Sequence, residues 1–121
     1  MSVIAGRIAD AIRPVLPGVV LSFGRVAGAP DALLRYAVIR PAGGSSGDRV
    51  RRPQFTLDVM GLKDGDATQT AALVEAAIQR MREPVAGLVF LAPSEPSFTT
   101  TAEGRPLSSV AIAAITETEP V

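Results

Sequence analysis

A chain of 121 residues with 12 Lys plus Arg, 12 Asp plus Glu, no Cys and no His has no formal net charge. The missing Cys excludes disulfides, thiolate nucleophiles and Cys metal sites, and the missing His excludes Ser-His-Asp triads and His-ligated metals. Charge balance argues against a dedicated nucleic-acid binder, which needs surplus cation to displace counterions.

The length suits a single domain over residues 1–121, large enough to bury a core. Hydrophobic residues at 47% against 20% charged predict a globular chain, and 4% aromatics leave the core to Val, Ile, Leu and Ala. Catalysis would have to work with carboxylates, hydroxyls, arginines, Lys63 and Tyr36, a thin kit for an enzyme. No apolar run approaches the ~20 residues that span a bilayer. Arg7, Asp10 and Arg13 interrupt the apolar pattern where a signal peptide would be continuous. The expectation is a protein made in the cytoplasm and used without secretion.

In "SVIAGRIADAIR", residues 2–13, Ile4, Ile8, Ala11 and Ile12 share one helical face, and Pro14 ends the pattern. "VVLSFGRV", 19–26, and "LLRYAVIR", 33–40, read as strands, and the "AGAPD" turn between them predicts a hairpin. Leu34, Tyr36 and Val38 alternate onto one side, with Tyr36 read as half-buried core. Residues 41–52, "PAGGSSGDRVRR", read as a flexible loop, with Arg49, Arg51 and Arg52 in it and Arg40 at its base. In the third strand, 54–61, Phe55, Leu57 and Val59 oppose Gln54, Thr56 and Asp58. Asp58 reads as a surface acid; on a covered face it would need Arg or hydroxyl partners.

"KDGD", 63–66, then raises a choice between chemistry and architecture. Asp66 precedes a helix over about 67–82 and Gln69 follows three residues later, a variant capping box, while "KDG" supplies the turn. Asp64 and Asp66 could instead face Mg²⁺ or Ca²⁺, but the run lacks the remaining oxygen ligands of an EF-hand loop. Ala67, Ala71, Val74, Ile78 and Met81 form the apolar stripe of the helix. A fourth strand follows at 88–92, then a strand-compatible Thr-rich centre within 93–107. The final strand, 108–118, is small or apolar on both faces and so predicted central or covered on both sides. The order α-β-β-β-α-β-(β)-β predicts an α+β fold: one mixed or antiparallel sheet of about five strands with two α-helices on one face.

"GGSSGDR", 43–49, lacks the Gly-Lys-Ser/Thr of a phosphate loop and is followed by a strand rather than a helix. The cluster Arg40, Arg49, Arg51 and Arg52 can contact phosphate or an acidic partner surface, or simply be solvated.

The layout as a whole resembles the tail terminator (minor tail) proteins of long-tailed bacteriophages and related phage-like particles. The likeness runs through "IAGRIADAIRPVLPG", "VVLSFGRV", "LLRYAVIRPAGG", "FTLDVMGLKDGDATQTAALVEAAIQRMREP" and "GLVFLAPSEPSFTTTAEGRPLSSVAIAAITE". It covers nearly the whole chain and contains no catalytic motif. The resemblance implies a structural virion protein, assembled in the host cytoplasm, that forms a six-membered ring on the head-proximal end of the tail tube. There it ends tube polymerisation and offers a surface to the head–tail connector, with no reaction, cofactor, membrane or specific nucleic acid involved. Its partners would be its own copies, the tube protein and the connector. Composition adds candidate contact residues that the resemblance does not supply: Arg40, Arg49, Arg51 and Arg52 near the Gly-rich segment, and Glu95 and Phe98 in the 95–105 segment. Alternative readings are another neck or tail-completion protein, a small metabolite-binding regulatory domain, and an enzyme using Asp64 and Asp66.

Overall fold

The computed structural model describes residues 3–24, 33–46, 50–65 and 67–117. Helix α1 spans Val3–Ile12 and tightens into a 3₁₀ turn at Arg13–Val15. Pro14 lies in that turn, where its missing N–H costs nothing to the helix before it. Ile8 and Ile12, one turn apart, are both fully buried, as their spacing requires. Six strands follow: β1 (Val19–Phe23), β2 (Arg35–Ser46), β3 (Val50–Met60), β4 (Phe90–Pro93), β5 (Ser97–Thr100) and β6 (Pro106–Glu117). Helix α2, Ala67–Met81, sits between β3 and β4. Asp66, the expected cap, lies outside the described residues.

The strands form one mixed sheet in the order β1-β2-β3-β6-β4, and β5 also pairs with β6. This is the expected α+β architecture. Alternation sorts the two faces. Ala37, Ile39, Phe55, Leu57, Val59, Val110, Ile112 and Leu91 point to one face and are buried there. Both helices cover that face: Ile8 and Ile12 from α1 and Val74, Ile78 and Met81 from α2 close the core. Aliphatic side chains fill the interior with Phe55 as its one buried phenyl ring among the described residues.

Several local expectations are overturned. β1 and β2 pair in parallel, Val19 with Arg35 through Phe23 with Ile39, and do not form a hairpin. Period-two alternation is the same in either direction, so apolar pattern carries no information on strand polarity. Residues 41–52 are not a free loop either. β2 runs on to Ser46 and β3 begins at Val50, with a register shift between Pro41 and Gly44 absorbing the Gly-rich stretch. β3 is also paired on its other side there, Val50 with Glu117 and Arg51 with Thr116. A strand with partners on both edges keeps its hydrogen bonds despite poor local propensity. β6 is central, as expected, but only one of its faces is covered: Ala111 and Ala113 are exposed. Tyr36 is buried rather than half-buried, and with Val38 it lies on the face away from the helices.

Gly61 marks where α2 rests on the end of β3. Its N–H donates to the Pro106 carbonyl at 2.8 Å, and a Cβ at this position would collide with the Thr70 hydroxyl. Thr70 is itself buried in the first turn of α2. The glycine is required here by close approach, not by a special dihedral.

Leu57, fully buried and paired on both sides, is the sharpest probe of this core. Leu57→Ala is expected to lower stability by about 3 kcal/mol, with the midpoint of urea unfolding shifted and its slope unchanged.

Candidate interaction surface

The face of the sheet away from the helices is where most of the polar register positions fall. Arg40, Thr56, Asp58, Ser109, Ala111 and Gln54 lie on it by alternation. On this face Arg40, Asp58 and Ser109 form one network across three strands. An Arg40 Nη donates to an Asp58 carboxylate oxygen, and the Ser109 hydroxyl donates to the other. Arg40 Nε donates to the Gly24 carbonyl at 2.8 Å, tying the end of β1 to β2. Asp58 is thus no free surface acid: its side chain is 19% exposed and paired. A half-exposed pair of this kind contributes about 1 kcal/mol and, more usefully, holds the guanidinium in one orientation.

Of the expected contact residues, Arg40 is committed to this network and offers the 43% of its side chain that remains exposed. Arg52 is exposed, two residues before Gln54 on the same face, and pairs in register with Ser45. For Arg51 the structure describes the backbone position only, opposite Ser46 and Thr116, and Arg49 lies outside the described residues. Glu95 and Phe98 are exposed on the far side of β6. Glu95 sits in the break between β4 and β5. Ser94 bridges that break: its N–H donates to the Ala111 carbonyl at 2.7 Å, and its hydroxyl accepts the Ala111 N–H at 2.9 Å. Arg40 and Glu95 are level with each other but three strand spacings apart, roughly 14 Å, so the expected residues form two patches rather than one.

Composition gave no hint of Arg105. It is the largest fully buried side chain, 1% exposed, just before β6. Its Nε donates to the Gly61 carbonyl at 2.8 Å, another guanidinium N–H donates to the Leu34 carbonyl, and the group lies 5.4 Å over the Tyr36 ring. One planar cation therefore joins the end of β3, the approach to β2 and the start of β6. A tight turn aims it: Thr101 N–H donates to the Arg105 carbonyl at 2.9 Å, and Arg105 N–H donates to the Thr101 hydroxyl at 3.1 Å. In the sequence it is an ordinary Arg beside Gly and Pro, where a solvated side chain is the default.

Cofactor-like geometry is sparse. Among the described residues no three acidic side chains cluster as metal ligands would. A surface groove of about 170 Å³ lies between the end of α2 and β4, lined by residues including Met81, Val85, Leu88 and Phe90. That is smaller than the ~300 Å³ at which small-molecule pockets begin. No helix among the described residues is long and apolar enough to cross a membrane.

What these features define is a small α+β module with helices on one sheet face and long, paired β2 and β3 strands. Residues 31–118 match the family described as phage tail termination protein. The chain belongs to that family and is a structural protein of the phage tail. No curated protein sequence matches it. A solved chain from the virion of a native gene transfer agent particle superposes with a TM-score of 0.61 at 17% identity, covering 98% of this chain and 100% of that one. A second solved structure gives a TM-score of 0.51 at 20% identity, covering 98% and 93%. At such identities the two likenesses show the shared fold.

The Arg105 clamp serves the fold, not a partner, and can be tested as such. Arg105→Ala strands the Gly61 and Leu34 carbonyls and is expected to cost roughly 3 kcal/mol in chemical denaturation. Arg105→Lys should recover less than half of that loss, since an ammonium lacks the planar fork.

Proposed function

We propose that this chain caps the head-proximal end of a phage or phage-like tail tube as a ring of six copies, ends tube polymerisation, and presents the tail to the head connector. One tail-terminator-like domain over residues 1–121 carries the role, in the virion, after assembly in the host cytoplasm. The observation that carries this reading is the family match over residues 31–118. The gene transfer agent likeness, to a chain of a virion particle, agrees with it. A ring of identical copies is built from heterologous contacts, in which two different patches meet around a closed circle. The reading requires no chemistry of the chain, and partners are its own copies, the tube protein and the connector.

Within this reading the β2–β3 arm is the natural reach toward the tube or connector. Arg40, Arg49, Arg51 and Arg52 give it a cationic character suited to an acidic partner surface, and Glu95 with Phe98 forms a second contact patch beyond β6. The regulatory-domain alternative has less support, because the groove beside β4 is smaller than a small-molecule pocket.

Tube polymerisation supplies the test. Added to growing tubes of the cognate tube protein, the purified chain is expected to stop elongation at one end and to appear there as a six-fold density by electron microscopy. Elongation at an unchanged rate with no end-bound density would overturn the reading. Arg52→Glu, on an exposed site, should weaken capping on the order of tenfold with the melting temperature unchanged, and the deficit should shrink as salt rises.

A further inference from the structure

We propose that, in the ring, the outer edge of β1 in one copy pairs antiparallel with the outer edge of β4 in the next, so that the sheet continues across every subunit boundary. The inference rests on the ring reading and adds which surfaces meet.

Both ends of the sheet are open among the described residues: β1 pairs only with β2, and β4 only with β6. An open edge is a row of unpaired N–H and C=O groups, and monomeric proteins blunt it with charge, proline, a bulge or a cover. β1 reads Val-Val-Leu-Ser-Phe and has no charge, no proline and no bulge in its register. β4 reads Phe-Leu-Ala-Pro, with its proline only at the last position. Large apolar side chains are exposed at both ends: Val20, 42% exposed, on β1, and Val89 and Phe90, 61% and 55% exposed, at β4. Four strand spacings, about 19 Å, separate the two edges, so these are two different patches. A two-fold dimer would use one patch twice and leave the other bare, whereas a closed ring uses both.

Direction and facing agree as well. β1 and β2 are parallel, and β3, β6 and β4 then alternate, so β4 runs opposite to β1. Copies that share one orientation, as in a ring whose axis runs along the strands, therefore bring β4 antiparallel to β1. Val20 stands beside Tyr36, and Phe90 beside Ile115, both on the face away from the helices. Side chains alternate, so registers that match the faces set Val20 against Phe90 or Ala92 of the next copy. Those registers also join Leu21 and Leu91, on the helix-covered face, into one apolar layer. Neither strand carries a charge, so identical copies meet without repulsion.

Because the chain has no cysteine, introduced pairs report on this contact alone. Val20→Cys/Phe90→Cys and Val20→Cys/Ala92→Cys cover the two registers, with Cα separations across a strand pair that admit a disulfide. Mild oxidation followed by non-reducing electrophoresis is expected to give, from at least one double variant, a ladder of covalent oligomers rising to the ring size. Each single variant should stay monomeric on the gel. Native mass spectrometry of the unmodified chain, and melting curves of every variant, accompany the gel. A ring in native mass spectrometry with no ladder from either well-folded pair overturns the edge pairing and leaves the ring standing. A covalent dimer from Val20→Cys alone overturns it in favour of a two-fold contact. A monomer at every concentration with no ladder overturns both, and points to the tube protein as the occupant of these edges.

Discussion

Helices α1 and α2 cover one face of a six-stranded sheet, and among the described residues no helix lies on the other. This one-sided burial is the constraint on which the rest depends. A sheet packed on one side needs only half of each strand to be apolar, which is why β3 can alternate Phe55, Leu57 and Val59 with Gln54, Thr56 and Asp58. It also means that the core is one layer deep. A few fully buried aliphatic side chains carry the hydrophobic contribution, each worth about 1.5–3 kcal/mol on burial.

The uncovered face is stabilised by polar contacts instead. Arg40, Asp58 and Ser109 bind β2, β3 and β6 side by side on it. At the end of the same strands, Arg105 does a comparable job from a buried position, with carbonyl oxygens as its acceptors. Burying a guanidinium carries a desolvation cost of several kcal/mol unless its donors are met. The turn over 101–105 and the Tyr36 ring supply the setting that makes the placement tolerable. Gly61 completes this end, since only a residue without a side chain lets the first turn of α2 approach the strand so closely.

Among the described residues the sheet has a face without helices and two edges without a partner strand, and in the ring proposed above these become contact surfaces. The family assignment and these surfaces fit together for a physical reason. A structural tail protein needs several different contact surfaces on a small body, and a one-sided sheet offers a face, two edges and an arm. Most of the buried apolar side chains lie under the helices, while Tyr36, Val38 and Arg105 are buried on the other side of the sheet.

Some of this was legible in the residues alone. The 3.6-residue stripe of Val74, Ile78 and Met81, the break at Pro14 and the alternation of residues 54–60 identify helices, a stop and a half-buried strand, because each is a local pattern with one physical reading. The family resemblance was legible too, as a succession of such elements. Strand polarity was not, because alternation is identical in parallel and antiparallel pairs, and so nothing local distinguishes the parallel β1–β2 pair from a hairpin. The β2–β3 arm was hidden by its own composition: Gly and Ser favour a loop locally, and pairing with β2 and β6 holds residues 50 and 51 in a strand. Of the expected contact residues, Arg52, Glu95 and Phe98 are exposed, while Arg40 is partly engaged within the chain. Arg105 had no signal at all, since the carbonyls it serves are contributed by Leu34 and Gly61, far away in sequence. Outside the Gly-rich stretch of β2 and the start of β3, the sequence by itself determined which segments are helical or extended and which side of each is apolar, because those follow from neighbours along the chain. The tertiary structure decided strand order, direction and the partners of each buried polar group, because those depend on contacts between residues that only folding brings together.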